Sequence, residues 1–204
     1  NTGIYAIAQS ISYVIFQIMT SLDKVFITKT NKMLFDNEND KIGPYLTSFI
    51  YFCSLPAFGL ILFNDTIMNI FIDEKYHGSQ NIIIILSIYY FTLIFGKISG
   101  TQLIFAKKVW LNTNYFILNV ILNIVFNIPL IYYFGITGAA VATLLSSLIS
   151  MYLALISAKK FAPIIYEEKK IFLTFVFLFI ACTFAIMSKN QIISINSITE
   201  KIIS

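Results

Sequence analysis

Apolar residues run along this chain in six long stretches, with most of its charged residues gathered in the breaks between them. The stretches cover residues 4–19, 45–63, 82–105, 115–134, 136–157 and 171–187. Each is near the roughly 20 residues that a helix needs to cross a hydrocarbon core about 30 Å thick. Lipid offers no hydrogen-bond partner to a bare backbone, so each stretch is expected to satisfy its own amides and carbonyls as an α-helix. The pattern predicts an all-α, polytopic transmembrane bundle of about six spanning helices. Residues 188–204 are too polar to span and read as a tail, cut off before a further helix.

Composition agrees with the pattern. Hydrophobic residues make up 58% of the chain and charged residues 12%, against about 45–50% and about 25% in soluble domains. So few charges cannot cover a water-facing surface. The bilayer is therefore the expected solvent of most side chains, and the chain reads as a multi-pass membrane protein.

Charge then sets orientation. All 14 basic residues are lysines. Lys24, Lys29, Lys32, Lys41, Lys107, Lys108, Lys159, Lys160, Lys169 and Lys170 fall in alternate breaks, on one side of the bundle. The other side holds only Lys75 and the tail lysines, Lys189 and Lys201. The positive-inside rule makes the lysine-rich side cytoplasmic and starts residue 1 outside. Lysines placed this way mark topology and not a nucleic-acid surface. The chain opens on Asn1 with no basic leader or cleavage site, so it reads as an internal piece of a longer protein.

Two polar stripes interrupt the apolar faces. Tyr5, Gln9, Tyr13 and Gln17 recur every four residues in the first segment, and Asn119, Asn123 and Asn127 do so in the fourth. They can serve as interhelical hydrogen bonds, worth about 0.6–2 kcal/mol each, or line a wet cavity that binds polar groups. Small residues mark packing faces: Gly96 with Gly100, and Gly138, Ala142, Ser146 and Ser150. Pro56 and Pro129 each remove a backbone donor and are expected to kink their helices. Cys53 and Cys182 lie inside apolar runs, where a thiol packs as a small hydrophobe.

Lys97 is the exception to the lysine pattern. It sits eight residues before Phe105, roughly 12 Å along a helix axis and so near the bilayer midplane. An ammonium there costs about 2.5–3.5 kcal/mol on insertion scales. No acidic residue shares its segment. Three outcomes are open: a carboxylate partner in a missing part of the longer protein, a ligand in a cavity, or snorkelling.

Catalytic patterns are lacking. No phosphate-binding loop, nucleophile elbow or histidine pair is present, and His77 stands alone in an outer break. No metal or cofactor is expected. A membrane-embedded glycan polymerase or acyltransferase would need acid–base residues near the membrane surface, and a passive scaffold would not need polar stripes. Transport is the favoured class, and the chain is not expected to be an enzyme.

Four stretches carry a resemblance. "GIYAIAQSIS", "SLPAFGLILFNDTIMNIFIDEKYHGSQNIIIILS", "SGTQLIFAKK" and "LNIVFNIPLIYYFGITGAAVATLLS" resemble, in this order, segments of polysaccharide flippases. These exporters move undecaprenyl-linked oligosaccharides, such as O-antigen units for lipopolysaccharide, across bacterial membranes. They belong to the multidrug/oligosaccharidyl-lipid/polysaccharide exporter superfamily. The resemblance covers most of residues 1–187 and places them as the eighth to thirteenth helices of a protein with about 12 to 14, in two lobes. It implies alternating access around a central cavity, with the amino-terminal lobe, a lipid-linked oligosaccharide, the bilayer and a coupling cation (H+ or Na+) as partners. Cavity candidates are Lys97, Gln102, Asn119, Asn123, Asn127, Tyr5, Gln9, Tyr13 and Gln17, Lys97 meeting the anionic part of the substrate. A cation-coupled multidrug exporter of the same superfamily is the alternative.

Overall fold

In a computed structural model of the chain, the backbone is described for residues 2–203, and side chains for these residues except 39 and 188–203. Of the polar tail expected at 188–204, the backbone is described as far as residue 203, as the end of the last helix, and the side chains are not. Among the described residues there is no strand. The elements are α1 (Thr2–Phe35), α2 (Asn39–Leu62), α3 (Asn64–Phe71), a 3-10 turn (Glu74–Ser79), α4 (Gln80–Phe105), α5 (Val109–Phe161) and α6 (Glu168–Ile203).

Five of these helices are long and apolar enough to cross a membrane. Two depart from the apolar segmentation. The first segment, 4–19, lies within a helix that continues to Phe35. At 1.5 Å per residue such a helix is about 50 Å long, well beyond the apolar core. Conversely, the fourth and fifth segments lie in α5, whose 53 residues are too many for one span.

α5 turns back at Gly135, the one residue inside it with non-helical dihedrals (φ 60°, ψ −138°). A positive φ with an extended ψ is open to glycine alone. Contacts on either side converge on this turn. The Tyr115 and Ser157 hydroxyls hydrogen-bond each other, Asn123 reaches Thr143 and Ser146, and Gly138 lies against the Leu130 carbonyl. α5 is therefore a hairpin, with a leading arm (109–134) and a trailing arm (136–161). The non-helical break falls at Gly135, and Pro129 lies inside the leading arm with helical dihedrals.

α4 is the centre of the bundle. It packs on α1, on α2 and, most extensively, on α5. Its apolar residues point in all directions, as a helix enclosed by others requires. Phe49 and Ile50 of α2, Phe91 and Ile94 of α4, and Ile15 and Met19 of α1 are buried in one core, where Phe49 stacks on Phe26 of α1 and Phe91 meets Phe175 of α6. α6 packs on α2.

Outward faces are apolar too. Phe116, Ile121, Ile124 and Ile128 of the leading arm are exposed, as are Phe177, Ile180 and Phe184 of α6. Aromatic side chains gather at both ends of the α5 hairpin: Tyr132, Tyr133 and Phe134 at the turn, Trp110 and Phe161 at the lysine-rich end. Such belts sit at the two membrane–water interfaces. The chain is a multi-pass membrane protein.

At the lysine-rich end, the segment joining α5 to α6 is strapped across the bundle. Gln102 Nε2 donates to the Ala162 carbonyl at 2.9 Å, and the Tyr166 hydroxyl donates to Gln102 Oε1 at 2.9 Å. Gly43 lies directly under the Ile165 carbonyl, with no room for a β-carbon.

Candidate functional site

A cavity of about 600 Å³ opens between α1, α4 and both arms of α5. Its walls mix apolar side chains with Asp23, Lys97, Thr101, Asn112, Asn119 and Ser150. Pockets of about 300–1,000 Å³ with a few convergent polar groups are the usual shape of a small-molecule site.

Lys97 sets the electrostatics. Its ammonium lies 2.6 Å from Asp23 Oδ2 and 5.4 Å from the centre of the Phe16 ring. Both charged side chains are mostly buried, at 25% and 22% exposure. The pair therefore stands in a medium less polarisable than water, where attraction between opposite charges is stronger and loss of one partner strands the other. The second carboxylate oxygen, Asp23 Oδ1, is buried with no hydrogen-bond partner among the described residues.

This revises the first of the three outcomes open for Lys97. Its carboxylate partner comes not from an absent lobe but from α1, 74 residues upstream. Hydropathy falls after Met19, which puts Asp23 in a break between apolar segments. The helix does not stop there. Eighteen residues make five turns at 3.6 residues each, so Asp23 continues the line of Tyr5.

The rest of the α1 stripe meets α4 farther up. Tyr13 packs edge-on against Tyr90 at 5.7 Å. Tyr90 is two turns before Lys97 on the same face of α4. Tyr5 is half-buried, whereas Gln9 and Gln17 are exposed. A four-residue step overshoots one turn by about 40°, so the stripe drifts and Gln17 ends farthest from the Asp23 line. Among the residues lining the cavity, α1 supplies Phe16, Asp23 and Ile27, and not Tyr5, Gln9, Tyr13 or Gln17.

The asparagines of the leading arm divide similarly. Asn119 lines the cavity. Asn123 instead ties the hairpin together, donating to Thr143 Oγ1 at 3.2 Å and Ser146 Oγ at 3.4 Å while accepting from Asn127 at 2.8 Å. Gln102 is buried and engaged by the strap, away from the cavity.

The glycines of α4 differ from the expected close-packed pair. A β-carbon on Gly96 would meet nothing within 4 Å, because this residue lines the cavity. At Gly100 it would come within 3.2 Å of the Asn112 amide. Gly100 thus lets Asn112 approach, while Gly96 leaves open space beside Lys97. Asp23, Thr101 and Asn112 are among the polar cavity residues absent from the sequence-based candidates; Asp23 and Asn112 lie in breaks between the apolar segments. The five-turn spacing from Tyr5 was the available signal for Asp23.

Over 175 residues the chain is 25% identical to a protein of Haloferax volcanii named probable low-salt glycan biosynthesis flippase Agl15. The alignment takes in 84% of this chain and 37% of that protein, so the chain spans little more than a third of its relative's length. No family model matches the chain. No solved structure matches it.

Proposed function

We propose that this chain forms part of the translocation path of a flippase for lipid-linked oligosaccharides. The observation that carries the reading is the cavity: a mostly buried Lys97–Asp23 pair bordered by Asn112, Asn119, Thr101 and Ser150. A lipid-linked glycan has an anionic phosphate linkage followed by a hydroxyl-rich head. An ammonium suits the first, and amides, hydroxyls and a carboxylate with one free oxygen suit the second. Exposed apolar faces on α5 and α6 leave the lipid tail in the bilayer while the head passes through protein. The similarity to a protein named a glycan biosynthesis flippase supports the same reading.

In the longer protein, a second lobe would close the cavity from the other side, and rocking of the lobes would expose it to each face in turn. The pair itself bears no net charge. An anionic substrate must therefore draw Lys97 away from Asp23, and an exchange of H+ or Na+ at the freed carboxylate would couple ion movement to transport.

The test is translocation by the full-length protein in vesicles, using a fluorescent undecaprenyl-diphosphate oligosaccharide as probe. Lys97→Gln should lower the rate at least tenfold at unchanged protein level, and Lys97→Arg should keep a substantial part of it. Full activity of Lys97→Gln would remove Lys97 from the path. Wild-type vesicles that export a cationic dye but leave the probe in place would turn the assignment to a drug exporter.

A further inference from the structure

α4 has a second hollow beside it, away from the Lys97 cavity. α6 packs mainly on α2, and a crevice of about 400 Å³ lies between α6 and the trailing arm of α5. Its walls are apolar: Ile98 of α4, Leu155 and Ile156 of α5, and Ile171, Phe172 and Phe175 of α6. At the lysine-rich end the character changes. Lys159, Tyr166 and Glu168 border the crevice and also border an adjoining hollow lined by Lys169 and Lys170.

Charge at this mouth is unbalanced. Lys159, Lys169 and Lys170 face only Glu167 and Glu168 across it. Lys170 holds Glu167 at 2.6 Å. Lys159 reaches Glu168 at a looser 3.4 Å, with both side chains at least 70% exposed, so that contact exchanges readily with solvent or with another anion. Lys169 is exposed and has no carboxylate partner among the described residues.

An apolar slot that ends in surplus lysines at the level of the headgroups has the complementarity of one lipid molecule. We propose that it binds a single anionic phospholipid, with an acyl chain against Ile98, Leu155 and Phe172 and its phosphate at Lys159 and Lys169. The headgroup of a neutral lipid would gain nothing from those lysines, whereas anionic headgroups are drawn to basic clusters beside spanning helices. The occupant is assigned as a phospholipid and not as the tail of a transported glycan lipid. The slot is small, and α4 separates it from the cavity that holds Lys97. Bound there, the lipid would touch Tyr166 and so bear on the strap that Tyr166 and Gln102 form. The inference is independent of what passes through the cavity.

Native mass spectrometry of the full-length protein tests it, with dioleoyl phosphatidylglycerol and phosphatidylcholine as probes. One phosphatidylglycerol should be retained at least tenfold more strongly than phosphatidylcholine. The double variant Lys159→Gln/Lys169→Gln should abolish that preference, and Leu155→Trp should exclude the lipid by filling the slot. Lys107→Gln/Lys108→Gln removes the same charge from a different loop and should leave retention unchanged. Equal retention of the two lipids, or equal loss in the Lys107/Lys108 variant, would overturn the site. Displacement by undecaprenyl phosphate at a lower concentration than phosphatidylglycerol would assign the slot to the transported lipid and overturn the phospholipid. Should Leu155→Trp fail to fold, the lysine variants decide alone.

Discussion

Lys97 and Asp23 are 74 residues apart in the chain, yet their charged atoms meet at 2.6 Å inside a cavity. The contact joins α1 to the central helix within an apolar segment, where an unpaired ammonium is poorly tolerated. It neutralises the lysine without removing it from the cavity wall, so the same side chain can hold the bundle together and remain within reach of a ligand.

The pair should behave as a coupled unit in stability measurements. Asp23→Asn and Lys97→Gln should each lower the midpoint of thermal unfolding, and the double variant should lose less than the sum of the two. The coupling energy should be about 1–3 kcal/mol. It falls below the penalty for breaking a fully buried pair because the two side chains keep 25% and 22% exposure. Strict additivity in the double-mutant cycle would mean that the pair contributes nothing.

Three glycines should respond differently to a single methyl group. Gly43→Ala and Gly138→Ala push a β-carbon into the carbonyls of Ile165 and Leu130, both of them backbone. Each should cost about 1–3 kcal/mol, read as a lower unfolding temperature of the full-length protein in detergent. Gly96→Ala enters open space and should be neutral, or stabilising by up to about 1 kcal/mol, since alanine is the better helix former. A collapse of Gly96→Ala would show that a packed surface covers this part of the cavity.

Solvent access should separate the asparagines. With Cys53 and Cys182 replaced by alanine, Asn119→Cys should react with a small water-soluble thiol reagent. Asn123→Cys should react at least tenfold more slowly, because that position sits in the hairpin contact with Thr143 and Ser146. Equal rates would place the wet surface along the whole stripe.

Much of the architecture was legible before any packing was known. Apolar stretches in a solvent that cannot hydrogen-bond leave the backbone no regular option but the helix, and interfacial lysines can be read one by one. The reversal at Gly135 also lay where two apolar stretches met. Hydropathy failed at helix ends and helix faces. It cut α1 at Met19, although the backbone ladder runs on to Phe35, since helical hydrogen bonds do not depend on the polarity of the side chains that surround them. It grouped Asn119, Asn123 and Asn127 as one stripe, although only Asn119 lines the cavity.

Composition and order along the chain therefore determined that this is a helical membrane protein, where its helices begin to be apolar, and which side its lysines occupy. Those properties follow from each segment's own free energy in lipid and in water. Tertiary packing alone decided that Asp23 answers Lys97, that Gln102 serves the strap, and that Gly96 opens onto a cavity. Each of these depends on how one helix is rotated and set in height against another. That choice is made by the fit of whole surfaces, such as Ile15 and Met19 against the central helix, and no local pattern in the sequence encodes it.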